Sequence, residues 1–196
     1  HPDAVIGHSM GEVAAAVVAG ALSPADGLKV IATRSRLMAR LAGQGAMALL
    51  EVDPQDAAVL LADYPEVTVA VYASPRQTVV AGPPAQVEAV MGVVAGRDRL
   101  ARRVEVDVAS HHRIIDPVLP ELRSALADLA PQQPSIPVIS TTRGPGGVAA
   151  FDAEYWVANL RDPVRFADAV AAAGAEHGIF VEVSPNPVLT YAIDDT

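Results

Sequence analysis

Residues 7–11 read Gly-His-Ser-Met-Gly, directly after the apolar triplet Ala4-Val5-Ile6 and directly before an apolar helical stretch from Glu12 to Ala21. A G-x-S-x-G pentapeptide carries weight only between a strand and a helix, and that setting is present here. It predicts a tight turn that lifts the Ser9 hydroxyl clear of the sheet. Gly7 and Gly11 leave room for a strained backbone and for close approach of strand to helix. The first N–H groups of the helix, at the positive end of its dipole, then lie beside Ser9, where a developing oxyanion would be held. The pattern points to acyl chemistry on a serine; its plain alternative is an ordinary tight turn.

Ser9 is only the ninth residue of the chain. A serine enzyme of the α/β kind draws more sheet, and usually a second oxyanion donor, from sequence ahead of its elbow. The expectation is therefore a fragment of a larger protein, beginning just ahead of the catalytic strand. The 196 residues suffice for one domain or two small subdomains, and a hydrophobic share of 51% supports a packed core rather than disorder. A net charge of −9 argues against nucleic acid as a partner, and the lack of cysteine removes disulfides, thiolate nucleophiles and cysteine metal sites. The five histidines, His1, His8, His111, His112 and His177, form no metal-binding pair such as H-E-x-x-H. No apolar run reaches membrane-spanning length and no signal peptide is visible, so a cytoplasmic location is expected.

The chain reads as strand 3–6, elbow, helix 11–20, then a second helix opened by Ser23-Pro24-Ala25-Asp26 and closed near Gly43. Residues 45–106 follow the order β-α-β-β-α-β, with strands at 46–52, 67–72, 77–81 and 101–106 and helices at 54–62 and 85–95. That order is the ferredoxin-like arrangement. The division expected is an α/β-hydrolase-like core made of 1–44 and 107–196, with a ferredoxin-like subdomain, 45–106, inserted into it. Beyond the insertion come a helix over 116–129, a strand over 136–140, helices over 153–160 and 163–173, and a buried strand over 179–183.

A nucleophilic serine needs a base. His111, at the end of Val108-Ala109-Ser110-His111, is the leading candidate, against the reading of a surface-loop histidine. His112 must then point elsewhere, and His8, next to Ser9, reads as structural. Arg34 lies on the helix behind the elbow, and the planar fork of an arginine suits a carboxylate. A solvated helix arginine is the alternative, and the one assigned to Arg36 and Arg40.

Gly7-His8-Ser9-Met10-Gly11-Glu12, Arg34, Val108-Ala109-Ser110-His111, Tyr155-Trp156-x-x-Asn159-Leu160-Arg161-x-Pro163-Val164-Arg165-Phe166 and Glu182-Val183-Ser184-Pro185-Asn186-Pro187-Val188-Leu189 occur together and in order. The chain resembles, over essentially its whole length, the malonyl-CoA:acyl-carrier-protein transacylase family, and most closely the acyltransferase domains of modular type I polyketide synthases. The resemblance implies a Ser9–His111 dyad without an acidic third member, and an acyl-Ser9 intermediate. It further implies a Met10 backbone N–H as oxyanion donor, Arg34 as partner of the malonyl carboxylate and the backbone carbonyl of Asn159 as the group that orients His111. The family's second oxyanion donor, a glutamine near the domain's start, has no counterpart in this chain. No permanent cofactor is implied. The acyl group arrives on CoA and leaves on the phosphopantetheine of an acyl carrier protein. The implied partners are that carrier domain, flanking ketosynthase and other synthase domains, and the preceding part of the same domain.

Two positions depart from the family pattern: Ala73 where an asparagine is common, and Asn186 where the late motif has histidine. Small Ser110 ahead of the base, where a bulky aromatic goes with malonyl, points to methylmalonyl. Val108 replaces the usual tyrosine of that tetrad, and Met10 is neutral. A methyl group decides only about 1–3 kcal/mol. The rivals are an esterase or thioesterase of α/β-hydrolase type, which would need a late histidine such as His177, and a non-catalytic fragment. Arg97, Arg99, Arg102 and Arg103 suit an acidic carrier protein, although a solvated helix–strand junction is the simpler reading.

Overall fold

The computed structural model describes residues 1–147 and 149–196. Strand β1 (Val5–Ile6) runs into the elbow, and helix α1 (Gly11–Val18) leaves it. Ser23 caps helix α2 (Pro24–Met38): its Oγ accepts the Asp26 N–H, and Pro24 opens the first turn. Gly43, at φ +78°, turns the chain into the next unit.

That unit comprises β2 (Ala46–Leu50), α3 (Pro54–Leu61), β3 (Thr68–Ser74), β4 (Gln77–Gly82), α4 (Pro84–Ala95) and β5 (Ala101–Arg103). Asp53 caps α3 by accepting the N–H groups of Gln55 and Asp56. The four strands lie in the order β5-β2-β4-β3, and each neighbouring pair is antiparallel. Ala48, Leu50, Val80, Val87, Val90 and Val94 close a small core between this sheet and its helices.

The chain then returns to the first unit through α5 (Leu119–Ala125), β6 (Val138–Ile139), α6 (Ala153–Arg161), β7 (Val164–Arg165), α7 (Phe166–Gly174) and α8 (Thr190–Asp194). β6 pairs in parallel with β1, Val5 against Val138 and Ile6 against Ile139. Leu37, Ile115, Leu122, Tyr155, Trp156 and Leu160 build the helical core behind the elbow. The whole is an α/β fold with mixed pairing and helices.

Three expectations need correction. The helix over 116–129 begins as a 3-10 segment, Arg113–Val118, and becomes α-helical only over Leu119–Ala125. Pro117 and Pro120 supply no N–H and disturb the α-helical ladder before them. The helix expected from Pro163 starts at Phe166 instead. Pro163 biases Asp162 toward extended backbone, and Asp162 sits at ψ 156°. Val164 and Arg165 then pair in parallel with Val71 and Tyr72 of β3, which stitches the two units together. The third concerns 179–183, an apolar run expected as a buried strand. It forms no strand, and Ile179, Val181 and Val183 are 85%, 80% and 94% exposed. Hydrophobicity alone cannot make a strand; it needs a ladder partner, and among the described residues none lies against it.

The two elbow glycines have unequal tasks. A Cβ on Gly7 would stand 2.2 Å from Glu12 Cα and 2.3 Å from Glu12 N, whereas one on Gly11 would meet nothing within 4 Å. Gly7→Ala is expected to force strand and helix apart, lowering stability and abolishing labelling of Ser9 by a serine-directed probe. Gly11→Ala should stay within about 1 kcal/mol of the parent in denaturant unfolding and keep the labelling. Equal behaviour of the two variants would refute the close approach at Gly7.

Candidate active site

Ser9 sits in the left-handed region at φ +53°, and so does His111 at φ +59°. Left-handed backbone is uncommon outside glycine and persists only where the surroundings enforce it. For Ser9 the enforcement is the elbow itself: Gly11 N–H bonds the His8 carbonyl at 2.8 Å and Glu12 N–H bonds the Ser9 carbonyl at 3.0 Å. His111 is held by its own N–H, which donates to Leu160 O at 2.9 Å.

These two conformations bring the side chains together across 102 residues of sequence: Ser9 Oγ lies 2.7 Å from His111 Nε2. His111 Nδ1 lies 2.9 Å from the backbone carbonyl of Asp162. A carbonyl only accepts, so Nδ1 carries the proton and Nε2 presents its lone pair to the serine hydroxyl. The orienting carbonyl was expected at Asn159; it belongs to Asp162, three residues on. The turn after α6 swings outward at Asp162, so the carbonyl that escapes the helical ladder is the one at its end. His111 is 2% exposed, and burial, helped by the nearby Arg34 charge, lowers its pKa to about 3. His111 is therefore neutral at physiological pH and able to accept a proton.

Arg34 comes to the same place from α2. Its Nη2 donates to Ser9 Oγ at 3.4 Å and its Nη1 to Asn159 Oδ1 at 3.0 Å. It is 7% exposed, and burial lowers its pKa to about 10, which leaves it cationic at neutral pH. No carboxylate among the described residues lies within ion-pair distance of it. A buried guanidinium whose charge nothing cancels is costly, and such groups are kept where an anion is to be met. Arg36 and Arg40, by contrast, are exposed and reach Glu121.

The Met10 N–H, at the N-terminus of α1, makes no hydrogen bond among the described residues. It is free to meet an oxyanion beside Ser9. Ser110 is half-buried, its Oγ 3.6 Å from Met47 Sδ, and so faces the 45–106 unit. Val108 is buried in the helical core with Val13 and Leu37. His8 packs its ring edge-on against Phe166, and burial lowers its pKa to about 4. His112 points away from Ser9: its Nε2 lies 2.9 Å from Glu66 O, and its Nδ1 accepts the Ile114 N–H. His177 is no part of the site, being half-buried near the end of the α7 segment, beside Ala173 and Glu176.

Sequence reasoning left one residue of this neighbourhood without a role. Glu12 has no exposed surface, and its carboxylate receives the backbone N–H groups of Thr141 (2.6 Å) and Thr142 (3.3 Å). It also receives the hydroxyls of Thr142 and Tyr155, each at 2.7 Å, and the Asn159 amide at 2.9 Å. An acid in the first turn of an apolar helix was the available signal. Its partners lie about 130 residues or more away, beyond the reach of any local pattern.

A family model described as an acyl transferase domain matches residues 1–196. A phenolphthiocerol/phthiocerol polyketide synthase polypeptide of Mycobacterium tuberculosis (strain CDC 1551 / Oshkosh) is 71% identical over 195 residues, covering 100% of this chain. This chain spans 11% of that relative's length. The acyltransferase domain of the polyketide synthase PpsC of Mycobacterium tuberculosis is 56% identical, with a TM-score of 0.95 over 99% of this chain and 60% of that one. A malonyl CoA-acyl carrier protein transacylase from Coxiella burnetii is 25% identical, with a TM-score of 0.82 over 90% of this chain and 58% of that one.

The lowered histidine pKa values set a pH dependence. In the unfolded chain His8 and His111 take up protons below about 6.5; in the folded protein they do so only near 4 and 3. Below pH 6.5 the unfolded state therefore binds more protons, and stability falls as pH falls. The loss approaches about 1.4 kcal/mol per pH unit for each histidine until its folded pKa is reached. Denaturant unfolding at pH 7 and pH 5 is expected to show the difference, and His111→Asn should shrink it; an unchanged slope in that variant would contradict the shift.

Proposed function

The chain belongs to the acyl transferase domain family, and from that premise we propose that it moves a malonyl-type extender unit from CoA to an acyl carrier protein through an acyl-Ser9 intermediate. Ser9 Oγ attacks the thioester carbonyl while its proton passes to His111 Nε2, and the oxyanion forms against the Met10 N–H. Collapse expels the CoA thiolate, which takes the proton from His111. The phosphopantetheine thiol of the carrier then gives its proton to His111 and attacks the acyl-serine, and the Ser9 oxygen leaves with that proton. The single observation that supports this reading is the buried, uncancelled charge of Arg34 beside the 2.7 Å Ser9–His111 contact. It suits an acyl donor that carries its own carboxylate.

The same reading assigns residues 45–106 to a ferredoxin-like subdomain and residues 1–44 and 107–196 to an α/β-hydrolase-like core; the antiparallel order β5-β2-β4-β3 supports the first assignment. It makes a carrier protein and flanking synthase domains, such as a ketosynthase, the partners. No helix among the described residues is long and apolar enough to cross a membrane.

Arg34→Ala is expected to lower kcat/KM for malonyl-CoA by about 10-fold or more relative to acetyl-CoA, the loss of one charge-assisted pair of about 1.5–3 kcal/mol. Equal losses with both donors would exclude a carboxylate clamp. Methylmalonyl is the extender we assign, on the small Ser110 facing Met47. Ser110→Phe should shift competition between methylmalonyl-CoA and malonyl-CoA toward malonyl-CoA by overpacking one methyl group. A retained wild-type ratio would mean that the pocket is shaped elsewhere.

A further inference from the structure

Asn159 stands between two buried, opposite charges. Its Oδ1 accepts from Arg34 Nη1 at 3.0 Å, and its Nδ2 donates to Glu12 Oε2 at 2.9 Å. Nδ2 also lies 3.1 Å from the Ser9 carbonyl and 3.1 Å from Thr142 Oγ1. The orientation of this amide is forced. Reversed, it would set an NH2 group against a guanidinium that has only donors, and an oxygen against a carboxylate that has only lone pairs. Glu12 is itself unable to turn, because backbone N–H groups and hydroxyls meet both of its oxygens.

We propose that Glu12 is a positioning residue for substrate selection: its carboxylate locks the Asn159 amide with the oxygen toward Arg34, and so aims the guanidinium past Ser9 while leaving its charge uncancelled. A direct glutamate–arginine pair would hold the guanidinium too, but it would neutralise the charge that an acidic acyl donor must find. An amide interposed between them supplies direction without neutralisation. The Ser9 carbonyl on the same Nδ2 ties the aim of Arg34 to the position of the nucleophile. The proposal rests on Arg34 being the partner of the donor's carboxylate.

The test is a cycle of variants assayed with malonyl-CoA and acetyl-CoA. Glu12→Gln keeps the shape of the side chain but gives Asn159 a competing donor. It should lower the malonyl-over-acetyl ratio of kcat/KM by about 10-fold or more, mostly through a raised KM for malonyl-CoA. Asn159→Ala should lower the ratio similarly, and combining the two should lower it no further, because both act through one bridge. Additive losses in the double variant, or an unchanged ratio in Glu12→Gln while Arg34→Ala still collapses it, would overturn the proposal and leave the role of Arg34 standing. An unchanged ratio in Arg34→Ala would overturn both. Where Glu12→Gln yields no folded protein, Asn159→Asp decides: a carboxylate set directly against Arg34 should cost at least 10-fold in the same ratio, and a retained malonyl preference refutes the mechanism.

Discussion

A carboxylate with no exposed surface, Glu12, holds this molecule's halves in register. Taking such a charge out of water costs several kcal/mol, and only a complete shell of donors offsets it. The shell here comes from Thr141, Thr142, Tyr155 and Asn159, all more than 125 residues along the chain from Glu12. The elbow helix is thereby bound to the segment after β6 and to α6. Because Glu12 N–H also closes the turn at the Ser9 carbonyl, the strained backbone of Ser9 and the buried charge share one residue. The strain at Ser9 has a source of support within three positions of it.

The proposed base is supported by less. Among the described residues His111 has no carboxylate behind it, only the Asp162 carbonyl. A carbonyl fixes the tautomer as well as a carboxylate does but offers less to an imidazolium, and the Arg34 cation nearby disfavours that state further. The resting site therefore holds a neutral pair, serine and imidazole. An acyl donor bearing a negative charge would relieve the imidazole of part of that repulsion as it docks.

Much of this was legible in the chain. The strand–elbow–helix at 4–21, the capped α2 and the β-α-β-β-α-β order of 45–106 follow from local signals: Gly spacing, the Ser23 cap and apolar runs. Ser9, His111 and Arg34 emerged as candidates from residue type and motif, and the structure brings their side chains together. The illegible parts are nonlocal. Which carbonyl receives His111 depends on how α6 ends, and a shift of three residues there is invisible to a motif. The two-residue β7 exists only because β3 offers it an edge, and the apolar run at 179–183 lacks such an edge among the described residues. Glu12 has no local signal, because the groups that meet its carboxylate are all more than 125 residues away in sequence.

The separation in sequence between Ser9 and its partners has a temporal side. Synthesis at about 5–20 residues per second makes the elbow well before residues 111 and 159, and earlier segments begin to fold before later ones exist. Ser9 then has neither its base, 102 residues later, nor the amide that braces its carbonyl, 150 residues later. Only when α6 and Asp162 have docked does the hydroxyl acquire a partner for its proton. A growing or half-opened chain thus carries Ser9 without the imidazole that meets its hydroxyl, and the proposed reactivity would arrive together with the completed fold.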